Sequence, residues 1–204
     1  MPVTRRKCLT PVQAYLEGLR VIRKAAGEDF VLACGAPLLP SAGLVDAMRI
    51  GEDTAPYWKT KPSGFQGPNA YFALKNALMR QFMHRAFWLN DPDCLLLRPR
   101  EIELTRNERE LCALTAGALD NLIIDSDRLA LLGPDERGLF RRALSLRGGR
   151  ARVEGLLGEL GPEAYIVDSR GGPSGGTRLA VNLSDGDAVV GGIAVPPRTG
   201  AVLG

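Results

Sequence analysis

Histidine is nearly missing from these 204 residues, with His84 standing alone. That scarcity removes Ser-His-Asp and Cys-His catalysis and most histidine-ligated metal centres. His84 itself, at the end of a helical segment, reads as structural. Long apolar runs are also missing, and none approaches membrane-spanning length, so no membrane partner is expected. Arg5-Arg6-Lys7 has the charge of a signal-peptide start, but Cys8-Leu9-Thr10-Pro11 and an amphipathic segment follow it in place of a continuous apolar stretch. The four cysteines, Cys8, Cys34, Cys94 and Cys112, contain no C-x-x-C spacing and stand mostly in apolar contexts. Reduced, buried thiols in a cytoplasmic protein are expected, not disulfides or zinc. Charge of one sign is lacking too: 26 basic residues nearly cancel 23 acidic ones, leaving +3, and the basic residues are scattered. Nucleic acid is therefore not an expected partner.

What is present is an ordinary globular composition, 45% hydrophobic and 24% charged, enough for one domain or one and a fraction. Thr10-Pro11-Val12-Gln13 combines an N-cap threonine, a proline at the first helical position and a glutamine at N3. Val12, Tyr15, Leu16, Leu19 and Ile22 follow on one helical face, and Gly27 closes the helix. Phe30 to Cys34 is a short continuous apolar run, the pattern of a buried parallel strand. Val45 to Ile50 reads as a second strand. A helix from Ala70 to His84 carries Leu74, Leu78 and Phe82 at i, i+4 spacing, and Phe87 to Asn90 is strand-like, ending in the turn Asp91-Pro92-Asp93. Thr105-Arg106-Asn107-Glu108 is a second capping box before a helix with Leu111, Leu114, Thr115 and Ala118 on one side. Leu122 to Ile124 is a fourth strand, and a weaker helix runs from Pro134 to Leu144. Strands alternating with helices predict βα units around a parallel sheet.

Composition shifts near Arg147, and more than half of the 24 glycines lie beyond it. Ala164 to Val167 and Arg178 to Leu183 are short strand-like runs, and Asp185-Gly186 is a hairpin signal before Val189. The expectation is a small antiparallel β domain over 147–204, frayed at its end, after an α/β domain over 1–146.

The four candidate strands end in Cys34-Gly35-Ala36-Pro37, in Arg49-Ile50-Gly51-Glu52-Asp53, in Asn90-Asp91-Pro92-Asp93 and in Asp125-Ser126-Asp127. In a barrel of βα units these ends form the mouth, where functional groups gather. Each aspartate alone is more often a turn or cap residue; the set, repeated at one end of successive strands, points to a site. FVLACGAPLLP (30–40), DAMRIGEDTAPYW (46–58) and FWLNDPDCLLLR (87–98) resemble, in order, the later barrel strands of the α-galactosidases of glycoside hydrolase family 36, the melibiase type. RLAVNLSD (178–185) is similar to a strand of that family's C-terminal β domain.

The resemblance implies the C-terminal half of a (β/α)8 TIM barrel, about four βα units, followed by the small antiparallel domain. It implies a retaining glycosidase acting on terminal α-galactosyl residues of an oligosaccharide. By position, Asp53 matches the general acid/base, Arg49 the arginine of the R-x-x-x-D pattern, and Cys34 with Gly35 a wall of the sugar pocket. Trp58 and Asp91 fall where the family lines or supports that pocket; Trp58 reads equally well as an aromatic packed on the rim. Glu52 is the rival acid, adjacent in sequence and expected to point elsewhere. A retaining mechanism uses an acid and a second carboxylate roughly 5 Å away, and neither metal nor organic cofactor. The family's nucleophile motif, an aspartate flanked by lysine and aromatics, does not occur here, and Thr4 to Thr10 is similar to the loop that follows it. The expectation is a chain inactive alone, which self-associates or requires a complementary N-terminal half. The alternatives are a galactoside-binding module without catalysis and an inactive truncated homologue.

Overall fold

The structure is a computed structural model that describes residues 9–59, 67–172 and 175–203. Cys8 and most of the Thr4 to Thr10 loop lie outside the described residues. The first helix, α1, spans Pro11–Ala26, and both halves of its capping box form, with Gln13 N–H donating to Thr10 Oγ1 and Thr10 N–H to Gln13 Oε1. β1 (Leu32–Ala33), β2 (Ala47–Arg49) and β3 (Leu89–Asp91) make a parallel sheet in the order β1-β2-β3. Between the second and third strands lies α2, Ala70–Met79, capped by Asn69, whose side chain accepts from Phe72 N–H at 2.8 Å.

The structure departs from the sequence reading in ways that have physical causes. Phe30 and Leu32, expected inside, are 57% and 39% exposed, because β1 is the sheet's edge and among the described residues no strand lies beyond it. The helix expected to reach His84 stops at Met79; Arg80 leaves helical geometry and a 3₁₀ turn takes Gln81–Met83, which leaves Phe82 exposed. The third strand does end at the Asp91-Pro92-Asp93 turn, as expected, but a further short strand follows it directly. Proline there interrupts the ladder, and the chain resumes as β4 (Cys94–Leu95), which pairs in parallel with β5 (Ile124–Asp125).

α3, Arg106–Ala118, has the second expected capping box, Thr105 with Glu108. α4 spans Pro134–Ser145 and packs close to α3, so close that a Cβ on Gly117 would lie 2.2 Å from the Ala143 carbonyl oxygen. Four antiparallel strands follow: β6 (Arg150–Glu154), β7 (Ala164–Arg170), β8 (Gly176–Asn182) and β11 (Thr199–Leu203), in the order β11-β8-β7-β6. The last strand is paired along its whole length, from Thr199 opposite Asn182 to Leu203 opposite Arg178, so the expected fraying is absent over the described residues. The hairpin also sits elsewhere than expected. β9 (Ala188–Val190) turns back into β10 (Ile193–Val195) through Gly191 and Gly192, both at positive φ, as a tight two-residue connection requires. Asp185 and Gly186 instead belong to a loop gathered by Asn182, whose amide donates to the Gly186 and Val195 carbonyls.

One buried cluster runs through both regions, joining Met48, Ile50, Leu74 and Leu78 to Leu111 and Leu114 of α3 and on to Tyr165, Val167, Leu179 and Val181. Among the described residues no helix is long and apolar enough to cross a membrane.

Candidate active site

β2 and β3 run in parallel with Arg49 opposite Asp91, so the two side chains emerge together at the strands' C-terminal ends. Arg49 then binds three carboxylates. Its Nε donates to Asp91 Oδ2 at 3.1 Å, Nη1 to Asp53 Oδ1 at 3.0 Å, and Nη2 lies 2.7 Å from Asp93 Oδ1. The planar fork of a guanidinium suits such divided work. Asp91 is fully buried, Asp93 is 13% exposed at its side chain and Asp53 is 72% exposed. Two carboxylates are therefore braces beneath the arginine, and the third is presented to solvent. Burial works against the Arg49 charge, but Asp91 and Asp93 more than offset it and hold the guanidinium above its ordinary pKa.

Asp93 does a second job. Its Oδ2 accepts the Thr54 N–H at 2.6 Å, which ties down the loop that carries Asp53. Asp93 itself is held by its own N–H donating to Asp91 Oδ1 at 2.9 Å. The device recurs at the end of β5: Asp127 N–H donates to Asp125 Oδ1 at 3.0 Å, and Asp127 accepts from Leu97 N–H and pairs with Arg98 at 2.7 Å. In both, the second aspartate of an Asp-x-Asp turn accepts a backbone N–H from the segment after an earlier strand and pairs with an arginine, Arg49 at the end of β2 in one case and Arg98 beyond β4 in the other. Sequence reading placed Asp91 at the site but left Asp93 as a turn residue; the repeated Asp-x-Asp at two strand ends was the available signal.

Arg49, Asp53, Cys34 and Gly35 line one open recess together with Gly51, Glu52, Gly67 and Pro68. Four of the six expected site residues thus come together. Glu52 was expected to point elsewhere, yet it is exposed on the same recess; only Asp53 of the two carboxylates touches Arg49. Gly35 has φ +65°, a backbone conformation that a side chain would strain. Cys34, expected to be a buried thiol, is exposed. Of the other cysteines described, burial pushes the Cys94 thiol up to about 11 and the Cys112 thiol up to about 12. Trp58 is not on the recess: it is 4% exposed, edge-on to Tyr71 with centroids 5.7 Å apart. The position expected to line or support a pocket is thus an interior one. Among the described residues no group of three or more His, Cys, Asp or Glu side chains is arranged to hold a metal ion.

The chain is similar to α-galactosidases. The α-galactosidase of Thermus thermophilus, solved with p-nitrophenyl α-D-galactopyranoside, shares 31% identity with a TM-score of 0.62 over 76% of this chain. The same enzyme solved with stachyose gives 33% identity and a TM-score of 0.60 over 67% of the chain. A putative α-galactosidase from Bacteroides fragilis, at 11% identity, shares the fold alone, with a TM-score of 0.65 over 96% of this chain and 52% of its own. The chain spans about a third of the Thermus enzyme, 32% in one structure and 30% in the other. No protein-family profile matches the sequence.

Proposed function

We propose that this chain carries the acid/base half of an α-galactosidase-type retaining glycoside hydrolase of family 36, in a partial (β/α)8 barrel followed by a small antiparallel domain. The observation that carries the reading is the Arg49–Asp53 pair at 3.0 Å over a recess walled by Cys34 and Gly35, in a chain 31% identical to the Thermus enzyme over 76% of its length. Asp53, solvent-facing and adjustable, protonates the departing glycosidic oxygen and later activates water. Arg49, fixed by Asp91 and Asp93, holds Asp53 between those steps. Cys34 and Gly35 bound the sugar.

In this reading the second carboxylate comes from a complementary set of strands. Asp91 and Asp93 are committed to Arg49 and Thr54, so neither is free to attack an anomeric carbon. The exposed apolar side chains of the first segment, Val21 at 68%, Phe30 at 57% and Leu39 at 67%, mark where such strands would pack beside β1. That commitment also favours a second reading, galactoside binding without cleavage.

Release of nitrophenol from p-nitrophenyl α-D-galactopyranoside tests both. The chain alone gives none; addition of a segment carrying the complementary strands restores turnover, and Asp53→Asn lowers it by roughly 10²–10⁴, the usual contribution of a general acid or base. Turnover by the chain alone that Asp53→Asn abolishes would overturn the need for a second half. Calorimetric binding of galactose, lost in Arg49→Ala, with no turnover after complementation would establish the binding reading.

A further inference from the structure

Away from the strand-end recess, the segment before β3 and the edge strand β6 enclose an open groove lined by His84, Arg85, Arg150, Arg152 and Arg170, with Gln81 at its base. Residues 81–88 lead into the N-terminal end of β3, so this groove lies toward the opposite end of the parallel strands from Arg49 and Asp53.

Its charge is not balanced locally. Arg150 stands directly across the ladder from Arg170, and like charges so placed repel. Asp168 answers Arg170, at 2.7 Å and 3.0 Å, and is itself opposite Arg152. Arg85 pairs with Asp120, which also serves Arg147 at 3.3 Å. Arg150 and Arg152 make no ion pair among the described residues. Five arginines thus share two carboxylates, in a chain whose whole excess is +3.

The hydrogen-bonding capacity is equally one-sided. His84 Nδ1 accepts the Asn90 N–H at 3.0 Å, which leaves its proton on Nε2, and Nε2 is buried with no partner. Gln81 is spent, its amide donating to the Leu119 carbonyl and its oxygen accepting from Asn121, each at 2.9 Å. Every remaining polar side chain that lines the groove is a donor. A sugar hydroxyl, which brings protons of its own, would find no side-chain acceptor. A multiply charged, acceptor-only group matches both the charge and the donors, and arginine recognises phosphoryl oxygens in bidentate geometry.

We propose that this groove is a binding site for an anion carrying two or more phosphoryl groups, held by Arg150, Arg152 and Arg170 with Arg85 and the His84 Nε2–H at its inner wall. Inorganic tripolyphosphate is the probe, titrated calorimetrically into the chain. One saturable site is expected, weakening as salt rises. Arg150→Gln with Arg152→Gln should lower its affinity by about tenfold or more for each arginine, the scale of hydrogen bonds to charged groups. A control pair that removes equal charge elsewhere, Arg20→Gln with Arg100→Gln, should leave it within about twofold, a few tenths of a kcal/mol. Both pairs lie on the surface, and circular dichroism verifies that the variants fold. No saturable binding, an equal loss in the control pair, or equal binding of a tetra-aspartate peptide would each overturn the proposal.

Discussion

Substituting Asp93 in two ways separates its two jobs. Asparagine keeps an oxygen for the Thr54 N–H, now 2.6 Å away, and tolerates the φ of +80° at this position. It loses the charge-assisted contact with Arg49 at 2.7 Å. A hydrogen bond to a charged group contributes about 1.5–3 kcal/mol, and Asp91 and Asp53 remain to hold Arg49, so Asp93→Asn should cost about 1.5 kcal/mol. Alanine loses both contacts, leaves the Thr54 N–H without its acceptor, and adds the penalty of a left-handed backbone, about 1–2 kcal/mol. Asp93→Ala should therefore fall about 2–3 kcal/mol below Asp93→Asn. Urea unfolding reads the difference as a shift in midpoint at unchanged slope. If both variants unfold at one midpoint, or if neither differs from the parent by more than about 0.5 kcal/mol, Asp93 is not the brace described here.

Gly117→Ala should destabilise the chain by about 1–3 kcal/mol in the same assay even though alanine is the better helix former, because the new methyl would meet the Ala143 backbone. A maleimide applied briefly to the folded chain should modify Cys34, which is exposed, and spare Cys94 and Cys112, whose thiols burial holds up near about 11 and about 12; peptide mapping reports which react. His84 should titrate near pH 4, mainly because burial disfavours its charged form, while the unfolded chain takes up that proton near 6.5. The folded state then binds fewer protons than the unfolded one between those values. The His84 contribution to stability is fully present above about pH 6.5 and is lost as pH falls toward 4; the signals of the one imidazole give the pKa by NMR, and His84→Gln should flatten that part of the stability profile.

Features set by neighbours in sequence were legible from sequence. The two capping boxes are i, i+3 arrangements, and the Arg49–Asp53 pair is i, i+4, so each could be read without knowing what packs against it. The work of Asp93 was not legible, because it depends on β2 and β3 lying side by side with Thr54 within reach across 39 residues of chain. Edge and interior look alike in an apolar run, which is why Phe30 and Leu32 were read as buried; only strand order reveals that β1 has one neighbour among the described residues. For Trp58 a pocket role and a packed role read equally well from sequence, since a polar loop gives no hint that Tyr71 takes the ring into the interior. Asp185-Gly186 and Gly191-Gly192 both carry turn chemistry, and what separates them is that the Asn182 amide also reaches the Val195 carbonyl, 13 residues on, which gathers the first pair into a loop and leaves the tight turn to the second.

The cluster that joins Met48 and Leu78 to Leu111, Leu114, Val167 and Leu179 bears on how such a chain can be divided or recombined. Composition changes near Arg147, and that connection would be a natural crossover point for a chimera. A cut there would strip α3 of the strands that cover it, and a Cβ on Gly200 would already lie 3.2 Å from Leu111. A grafted sheet would have to bring its own match for that helix, so the unit of exchange begins at Thr105 and not where the glycines begin.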